Sequence, residues 1–339
     1  MSSNKRGIFL IQLGTPDAPT TEACRRYLKE FLMDPWVVDI PFVFRAMLVF
    51  GIISPFRSPK TAHAYSTIWT QEGSPLRVET LKVSDLLQQQ LGSKFCVKVG
   101  MRYGNPSLQL ALEEFKAEGI SKVLLMPLYP QYAEATTRSS LEKVYEIAET
   151  MSFDFDFSVL KPFYKDAQYI RAAAEASGFS SHGPFDYALF SFHGLPTRQL
   201  VKADASKAYC TKDASCCLRG TSQNAFCYRH HSVETAKAIA QFLQIPSDRW
   251  SVSFQSRLGR ADWIKPYTEE ELVRLARSGV KRLAVFCPSF VSDCLETLEE
   301  IGVRGAEVFC EAGGSELVLM PSLNRHSQWI DALTDWARG

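Results

Sequence analysis

Short apolar runs alternate with longer amphipathic stretches along the whole chain. In the longer stretches, of about ten residues or more, apolar residues recur at helical spacing. The short runs have the Val, Ile, Leu and Phe content of buried strands, and we predict strands over 8–13, 95–100, 122–128, 155–160, 187–192, 250–254, 282–286 and 316–320. Because strands that alternate with helices form parallel sheets covered by helices, the pattern predicts an α/β fold with doubly wound, Rossmann-like sheets.

Segments of the first half of the chain have counterparts, in the same order, in the second half. The pairs are FLIQLGTP with LFSFHGLP, VGMRYG with FQSRLG, and 113–136 with 270–297. The repeat predicts two similar domains, 1–165 and 166–339. Ligands of doubly wound sheets bind beyond the carboxyl ends of the strands. We therefore expect the functional site in a cleft between the two domains.

Composition and charge narrow the class of protein. Lys and Arg number 38 against 37 Asp and Glu, with no block of like charge, which argues against a nucleic-acid partner. Hydrophobic residues make up 46% of the chain and charged residues 22%, as in folded rather than disordered proteins. Neither a GxGxxG motif nor a Walker loop is present, which disfavours a nucleotide enzyme.

The most apolar run of the chain, IPFVFRAMLVFGIISPF at 40–56, lies in the first domain. Arg45 interrupts it and Pro55 is expected to end it before the ~20 residues that a spanning helix needs. One interpretation is a core helix with a snorkelling Arg, and the other is an exposed apolar lip that touches a membrane. The apolar stretch after Lys5 and Arg6 is too short for most signal peptides. We expect a cytoplasmic protein, with peripheral membrane contact if the lip is exposed.

A histidine and a group of carboxylates follow two strands of the second domain. His193 stands in SFHGLP, where a lone His is usually structural, but the turn at Gly194 would hold its imidazole at the mouth of the cleft. In PSFVSDCLETLEEI, Asp293 and Glu296 have the spacing of a capping box, and Glu299 and Glu300 are typical of a solvated helix face. Alternatively, Glu296 faces His193, and such a pair can bind a divalent ion or move protons.

Aromatic, basic and hydroxyl-bearing residues follow the other strands. Rings can stack on a flat hydrophobic ligand, while Arg and Ser can hold its carboxylates. The residues with this character are Arg102, Tyr103, Tyr129, Tyr132, Gln255, Ser256, Arg257 and Trp263. Their types predict a planar, acidic ligand.

Four of the nine cysteines lie close together in the second domain, with the spacing C-x5-C-C-x9-C: Cys210, Cys216, Cys217 and Cys227. Paired C-x2-C knuckles of a zinc ribbon are absent. Four thiolates in one loop suit an iron–sulfur cluster. Zinc and free or redox-active thiols are the alternatives that the spacing leaves open.

Blocks along almost the whole chain are similar to one known family, the ferrochelatases, which insert Fe²⁺ into a porphyrin during haem synthesis. The blocks are LIQLGTPDAP, FRSPKTAHAYSTIWTQEGSPL, GMRYGNP, LYPQYAEATT, SFHGLP, SFQSRLGRADWIKP and SDCLETLEEI. The resemblance implies two Rossmann-like domains with the porphyrin between them. It also implies an enzyme that makes protohaem from Fe²⁺ and protoporphyrin IX and releases two pyrrole protons.

The resemblance assigns His193 and Glu296 as the pair that faces the substrate iron, with the imidazole accepting pyrrole protons. The porphyrin pocket would be lined by Leu13, Tyr65, Ser74, Arg102, Tyr103, Tyr132, Gln255, Ser256 and Trp263. Leu13 favours protoporphyrin, since some members that prefer coproporphyrin have Tyr there. Alternatives are a chelatase for coproporphyrin or Co²⁺, and a non-catalytic tetrapyrrole carrier, which would have no use for a proton acceptor facing a carboxylate.

The chain departs from the simpler members of the family at two places. Cys294 stands where some members have His, which leaves metal delivery more dependent on Glu296. The Cys-rich insertion, 206–230, is implied to hold a [2Fe-2S] cluster, because some ferrochelatases carry one elsewhere in the chain. The expected partners are protoporphyrin and Fe²⁺, together with a membrane surface or the porphyrin oxidase of the preceding step.

Overall fold

The computed structural model describes residues 5–210, 213, 215–259 and 261–339. Within them, two four-stranded sheets consist of parallel strands. The strands are β1 (Arg6–Thr15), β2 (Phe95–Gly104), β3 (Lys122–Pro127), β4 (Asp156–Val159), β5 (Tyr187–His193), β6 (Trp250–Gln255), β7 (Arg282–Phe286) and β8 (Glu316–Leu319). The strand orders, β2-β1-β3-β4 and β6-β5-β7-β8, are equivalent. The eight predicted strands and the α/β class are confirmed.

Helices connect the strands. The α-helices in the first part of the chain are α1 (Thr21–Leu32), α2 (Phe42–Ala46), α3 (Ser54–Ile68), α4 (Pro75–Leu91), α5 (Leu108–Ala117) and α6 (Ser139–Thr150). Those in the second part are α7 (Ala167–Ala176), α8 (Thr197–Ala203), α9 (Tyr228–Phe242), α10 (Thr268–Arg277), α11 (Leu295–Leu298), α12 (Ala306–Glu311) and α13 (Ser327–Arg338). Three π-helical segments precede α3, α6 and α12: Met47–Ile53, Glu134–Arg138 and Glu300–Gly305.

Grouped by contacts, the described residues form two units. The first contains the chain up to Tyr129, with Glu134–Lys161 and Ile330–Gly339, and the second contains Pro130–Ala133 and Pro162–Trp329. The sequence places the domain boundary at 165, close to this division. The segment Ile330–Gly339, which the sequence assigns to the second domain, groups with the first unit.

Each sheet has its own apolar core. In the first unit, Phe9 and Ile11 of β1 pack with Leu112 and Phe115 of α5. The rings of Phe9 and Phe115 meet edge to face at 5.8 Å. In the second unit, the core forms around Leu189 and its neighbours on β7, α10 and α12. Because both faces of these sheets are covered, the central strands are continuous apolar runs rather than alternating ones.

The apolar run of the first unit is helical and exposed. The helix continues from Phe42 through the π-helical segment to Ile68, with Pro55 at the junction between that segment and α3. By length and composition Phe42–Ile68 could cross a membrane, and 22% of its most apolar window is buried. Both the expected end at Pro55 and the core-helix interpretation are wrong. Arg45 is buried, and its Nη1 donates to the carbonyl oxygens of Val38 and Ile40.

Candidate functional site

His193 ends β5 with its imidazole in a defined tautomer. Its Nδ1 lies 2.6 Å from the carbonyl oxygen of Gly194, which can only accept, so Nδ1 carries the hydrogen and Nε2 is left as an acceptor. The turn that follows requires glycine. A Cβ at Gly194 would lie 2.7 Å from the carbonyl oxygen of Gln255 and 3.2 Å from the Trp263 ring. The geometry leaves His193 with a nitrogen able to take a proton.

The cap of α11 differs from the predicted capping box. Cys294 is the N-cap: its N–H donates to Thr297 Oγ1 at 3.0 Å, and its thiol sulfur accepts from the Thr297 N–H. Asp293 instead exchanges two hydrogen bonds with Asn324, of 2.9 and 2.8 Å. Glu296, in the first turn of the helix, is therefore not part of the capping box, and its carboxylate interacts with its own backbone N–H and with the Cys294 thiol.

Burial and charge act in opposite directions on Glu296. Burial raises the pKa of its carboxyl group, while the electrostatic interaction with nearby His193 and a hydrogen bond from the Cys294 thiol lower it. The thiol of Cys294 is itself buried, which raises its pKa well above the usual range and keeps it a donor. An acceptor imidazole and a carboxyl group thus interact within the second unit, as a proton-transfer pair requires.

Gln255 connects the end of β6 to the backbone of Glu296. Its Oε1 accepts from Ser191 Oγ at 2.7 Å, and its Nε2 donates to the Glu296 carbonyl oxygen at 2.7 Å. Both side-chain ends are therefore engaged within the protein. Trp263 is largely buried, and its Nε1 donates to the Leu258 carbonyl oxygen at 2.9 Å. These contacts hold two of the predicted pocket residues in fixed positions.

Ser256, which follows Gln255, adopts a left-handed backbone conformation with φ of 66°. Its N–H donates to Glu300 Oε1 at 2.8 Å, and its Oγ donates to Glu300 Oε2 at 2.6 Å. The expectation that Glu299 and Glu300 form a solvated face is wrong. Glu299 accepts two hydrogen bonds from Arg304, and the side chain of Glu299 is 12% exposed.

Tyr132 joins the predicted pocket residues to the Cys-rich insertion. Its N–H donates to His231 Nδ1 at 3.2 Å, and His231 Nε2 donates to the Ala225 carbonyl oxygen at 3.1 Å. Burial lowers the pKa of His231 to about 3, so its ring stays neutral. The rings of Tyr132 and Phe226 meet edge to face at 4.9 Å. Nothing in the local sequence around His231 indicates this bridge.

In the first unit, a buried carboxylate organises two predicted pocket residues. Asp34 pairs with Arg102 Nη2 and accepts from the Tyr103 hydroxyl at 2.8 Å and from Ser139 Oγ at 2.5 Å. The N–H of Trp36 donates to its other oxygen at 2.7 Å. Tyr103 is fully buried, while Arg102 keeps a 12% exposed side chain. Asp34 is not predictable from the local sequence, where its only signal is its place between Met33 and Pro35.

The remaining predicted residues of the first unit lie near the end of β1 and along the following helices. Leu13 is half-buried, and Ser74 accepts a hydrogen bond from Thr15 Oγ1 at 2.8 Å. Tyr65 is buried with its ring edge to face with Trp69 at 6.0 Å. Ser74 and Tyr65 therefore have local structural partners, and their assignment to a porphyrin pocket stays a prediction.

Three of the four clustered cysteines, Cys210, Cys216 and Cys227, line one small pocket. The sulfur of Cys217 lies 3.6 Å from that of Cys216 and 3.8 Å from that of Cys227. Two thiolates on one tetrahedral metal with bonds of ~2.3 Å are ~3.8 Å apart, so these separations fit metal ligation. Among the described residues, however, no group of three or more His, Cys, Asp or Glu is arranged to hold a metal ion.

Hydrogen bonds organise the same cysteines. Cys227 caps the N-terminus of α9, where its sulfur accepts from the His230 N–H at 3.5 Å. A hydrogen bond from Cys217 and this capping contact lower the pKa of the Cys227 thiol, while the same shared proton raises that of Cys217. The N–H of Cys210 donates to Asp204 at 2.8 Å. These directions make the Cys217 thiol the donor of the contact with the Cys227 sulfur.

Comparisons with known proteins place these observations in a family. A family model described as Ferrochelatase matches residues 5–339. Proteins named Ferrochelatase from Stutzerimonas stutzeri (strain A1501) and Azotobacter vinelandii (strain DJ) are 46% and 45% identical to this chain. The first alignment covers 97% of this chain and 96% of the relative, and the second covers 98% of each. Among solved structures, SirB from Bacillus subtilis with Fe³⁺ is similar to this chain, and the alignment covers 98% of this chain and 94% of SirB. The TM-score between the two structures is 0.56 and their sequences are 11% identical, so the likeness is one of fold alone.

Proposed function

The chain belongs to the ferrochelatase family, and from that premise we propose that it makes protohaem by inserting Fe²⁺ into protoporphyrin IX. The family predicted from the sequence blocks is confirmed, as is a metal-chelatase enzyme. The observation that carries the mechanism is the pairing of an acceptor imidazole with a partly buried carboxyl group, His193 with Glu296. A carrier without catalysis would not need this pair.

Metal insertion must remove two N–H protons from the macrocycle and replace them with Fe²⁺. His193 can take a pyrrole proton on Nε2, because Nδ1 is already committed to the Gly194 carbonyl oxygen. Burial raises the pKa of Glu296, which favours its protonated form, so its carboxyl group can accept the second proton. No electron changes hands, and the two protons balance the two positive charges of the iron.

The test of these roles is replacement of His193 by Ala. Porphyrin binding, followed by protoporphyrin fluorescence, should persist, because the aromatic and basic residues of the pocket are unchanged. Insertion of Fe²⁺ under anaerobic conditions should fall by about 10²-fold or more, the range for loss of a general base. Turnover near that of the wild type would contradict the mechanism.

Leu13 supports protoporphyrin as the porphyrin, because a half-buried apolar side chain suits a vinyl-bearing edge better than a carboxylate. Competition between protoporphyrin and coproporphyrin, read as the ratio of kcat/KM values, tests the choice. We expect protoporphyrin to be preferred, and Leu13→Tyr to lower the preference. A clear advantage for coproporphyrin in the wild type would reverse the assignment.

We propose further that Cys210, Cys216, Cys217 and Cys227 hold one [2Fe-2S] cluster. They supply its four thiolates, and Cys217 lies close enough to Cys216, or to Cys227, to share one iron with it. When bound, the cluster would order the insertion, since metal binding couples to local folding. The insertion in turn supports Tyr132 through Phe226 and His231. We therefore assign the cluster a structural role: it orders the segment that supports Tyr132, a predicted residue of the porphyrin pocket.

Anaerobically purified protein should contain about two irons and two labile sulfides per chain. It should also absorb visible light when it contains no haem. Cys227→Ser should remove this absorption and weaken porphyrin binding. Cys310→Ser is the matched control, because Cys310 is exposed and lies outside the insertion. One zinc and no sulfide per chain would contradict the cluster and leave the chelatase reaction untouched.

We also propose that the protein is cytoplasmic and that its exposed apolar lip, Phe42–Phe56, places it on a membrane surface. Phe42, Phe44 and Phe56 are 64%, 64% and 73% exposed, and each Phe that leaves water contributes about 1.5–3 kcal/mol. The exposed basic residues Arg57 and Lys60 suit anionic headgroups.

Flotation with vesicles that contain anionic lipid tests the membrane proposal. We expect wild-type protein to float with the vesicles and a double variant, Phe44→Ser with Phe56→Ser, to remain in solution. Leu110→Ser is the control, because Leu110 is an exposed apolar residue away from the lip. Equal flotation of all three proteins, or none by the wild type, would contradict membrane contact. The porphyrin oxidase of the preceding step would then be the partner to examine at the lip.

A further inference from the structure

Ser256 has a backbone conformation that its residue type disfavours. Its φ of 66° lies in the left-handed region, where a residue with a Cβ is less stable than glycine. Such a conformation persists only where surrounding contacts hold it. A glycine would adopt the same turn without strain, so the serine must supply something that glycine lacks.

The contacts that hold Ser256 come from one side chain. Both oxygens of Glu300 accept from it, one from the backbone N–H at 2.8 Å and the other from Oγ at 2.6 Å. Hydrogen bonds to a charged group are stronger than those between neutral groups. These two bonds hold Ser256 in its turn, and the Oγ bond is the one that glycine could not make.

The direction of the turn matters because of what lies on either side of it. Before it, Gln255 is fixed by Ser191 and by the carbonyl oxygen of Glu296. After it, the chain reaches Leu258, whose carbonyl oxygen accepts from Trp263 Nε1. A change of φ at Ser256 would redirect the chain that leads from Gln255 to Trp263, two residues of the predicted porphyrin pocket.

We propose that Glu300 is a positioning residue for porphyrin binding, which acts by holding Ser256 in its left-handed turn. The proposal rests on the proposed function, because it takes Ser256 and Trp263 as pocket residues. Glu300 lies near enough to Glu296 to interact with it electrostatically, so a role in handling the metal is the competing assignment. The two roles differ in which substrate a Glu300 variant fails to bind.

The experiment compares Glu300→Gln, Ser256→Gly and the double variant in the full-length protein. The Kd of metal-free protoporphyrin, from its fluorescence, and the KM values of porphyrin and Fe²⁺ are measured for each. Glu300→Gln alone should raise the porphyrin Kd and KM about tenfold and leave the KM of Fe²⁺ within about twofold. In the Ser256→Gly background, where no strain has to be held, Glu300→Gln should change the porphyrin Kd less than about threefold.

Glu299→Gln is the matched control, because Glu299 is adjacent in the chain and pairs with Arg304 instead. It should leave the Kd and both KM values unchanged. A raised KM of Fe²⁺ with an unchanged porphyrin Kd in Glu300→Gln would overturn the proposal, as would an equal loss of porphyrin binding in the two backgrounds. Failure of the proposed function would look different, since the wild type would then bind porphyrin without metalating it or would not bind it.

Discussion

Replacement of Asp34 by Ala removes the common acceptor of the buried network in the first unit. Arg102, Tyr103, Ser139 and the N–H of Trp36 all donate to this carboxylate, whose side chain is 1% exposed. The variant leaves the guanidinium of Arg102, 12% exposed, without its partner charge. Breaking a buried pair from one side costs about 3–5 kcal/mol, a large share of the ~5–15 kcal/mol that stabilises a domain.

This loss can be measured as a shift of the melting temperature. For a unit of this size, 3–5 kcal/mol corresponds to a decrease of about 6–20 °C, read by circular dichroism. Glu22→Ala is the control, because Glu22 pairs with Arg26 at the exposed surface and such a pair contributes about 0.5 kcal/mol or less. A decrease below about 2 °C in Asp34→Ala would refute the reasoning that this network stabilises the first unit.

Three further predictions concern single side chains. Glu296→Gln should gain stability relative to the wild type as pH rises above about 4.5. Because the pKa of Glu296 is raised in the folded state, the wild type loses stability when this carboxyl group deprotonates, whereas glutamine does not titrate. Chemical unfolding at several pH values measures this difference. Phe115→Ala should lower the free energy of unfolding by about 3–5 kcal/mol, since the ring is fully buried against Phe9, and a smaller loss would mean that the core closes around the cavity. Asp204→Asn should increase proteolysis of the Cys-rich insertion, because Asp204 accepts from the N–H groups of Tyr209 and Cys210; an unchanged cleavage pattern would contradict this role.

The strands and the two similar sheets could be predicted because their signals are local. Each strand is a short apolar run bounded by turn residues. Because segments of the first half recur in the same order in the second half, the second sheet is expected to be similar to the first. His193 was also predictable, since SFHGLP places it at a strand end and Gly194 gives the turn its direction. The family blocks added the role of Glu296, which spacing alone left open between a cap and a site.

The parts that the sequence did not reveal depend on partners far along the chain. Asp293 has the spacing of a capping residue, but Asn324 engages it and Cys294 takes its place. Glu300 has the composition of a solvated face, but Ser256, remote in sequence, is the residue that it holds. Residues of this kind have no neighbouring signal, because their function is fixed only by the fold.

The central claim is that this protein exchanges two pyrrole protons for one Fe²⁺, and the most direct measurement follows both at once. Purified protein is mixed anaerobically with protoporphyrin and Fe²⁺ in weak buffer with a pH indicator, while the Soret and visible bands are recorded. The account predicts a shift from the spectrum of free-base protoporphyrin to that of haem, with two protons released per haem formed, at a rate proportional to protein concentration. A porphyrin spectrum that stays unchanged, or that changes no faster than without protein, would contradict it.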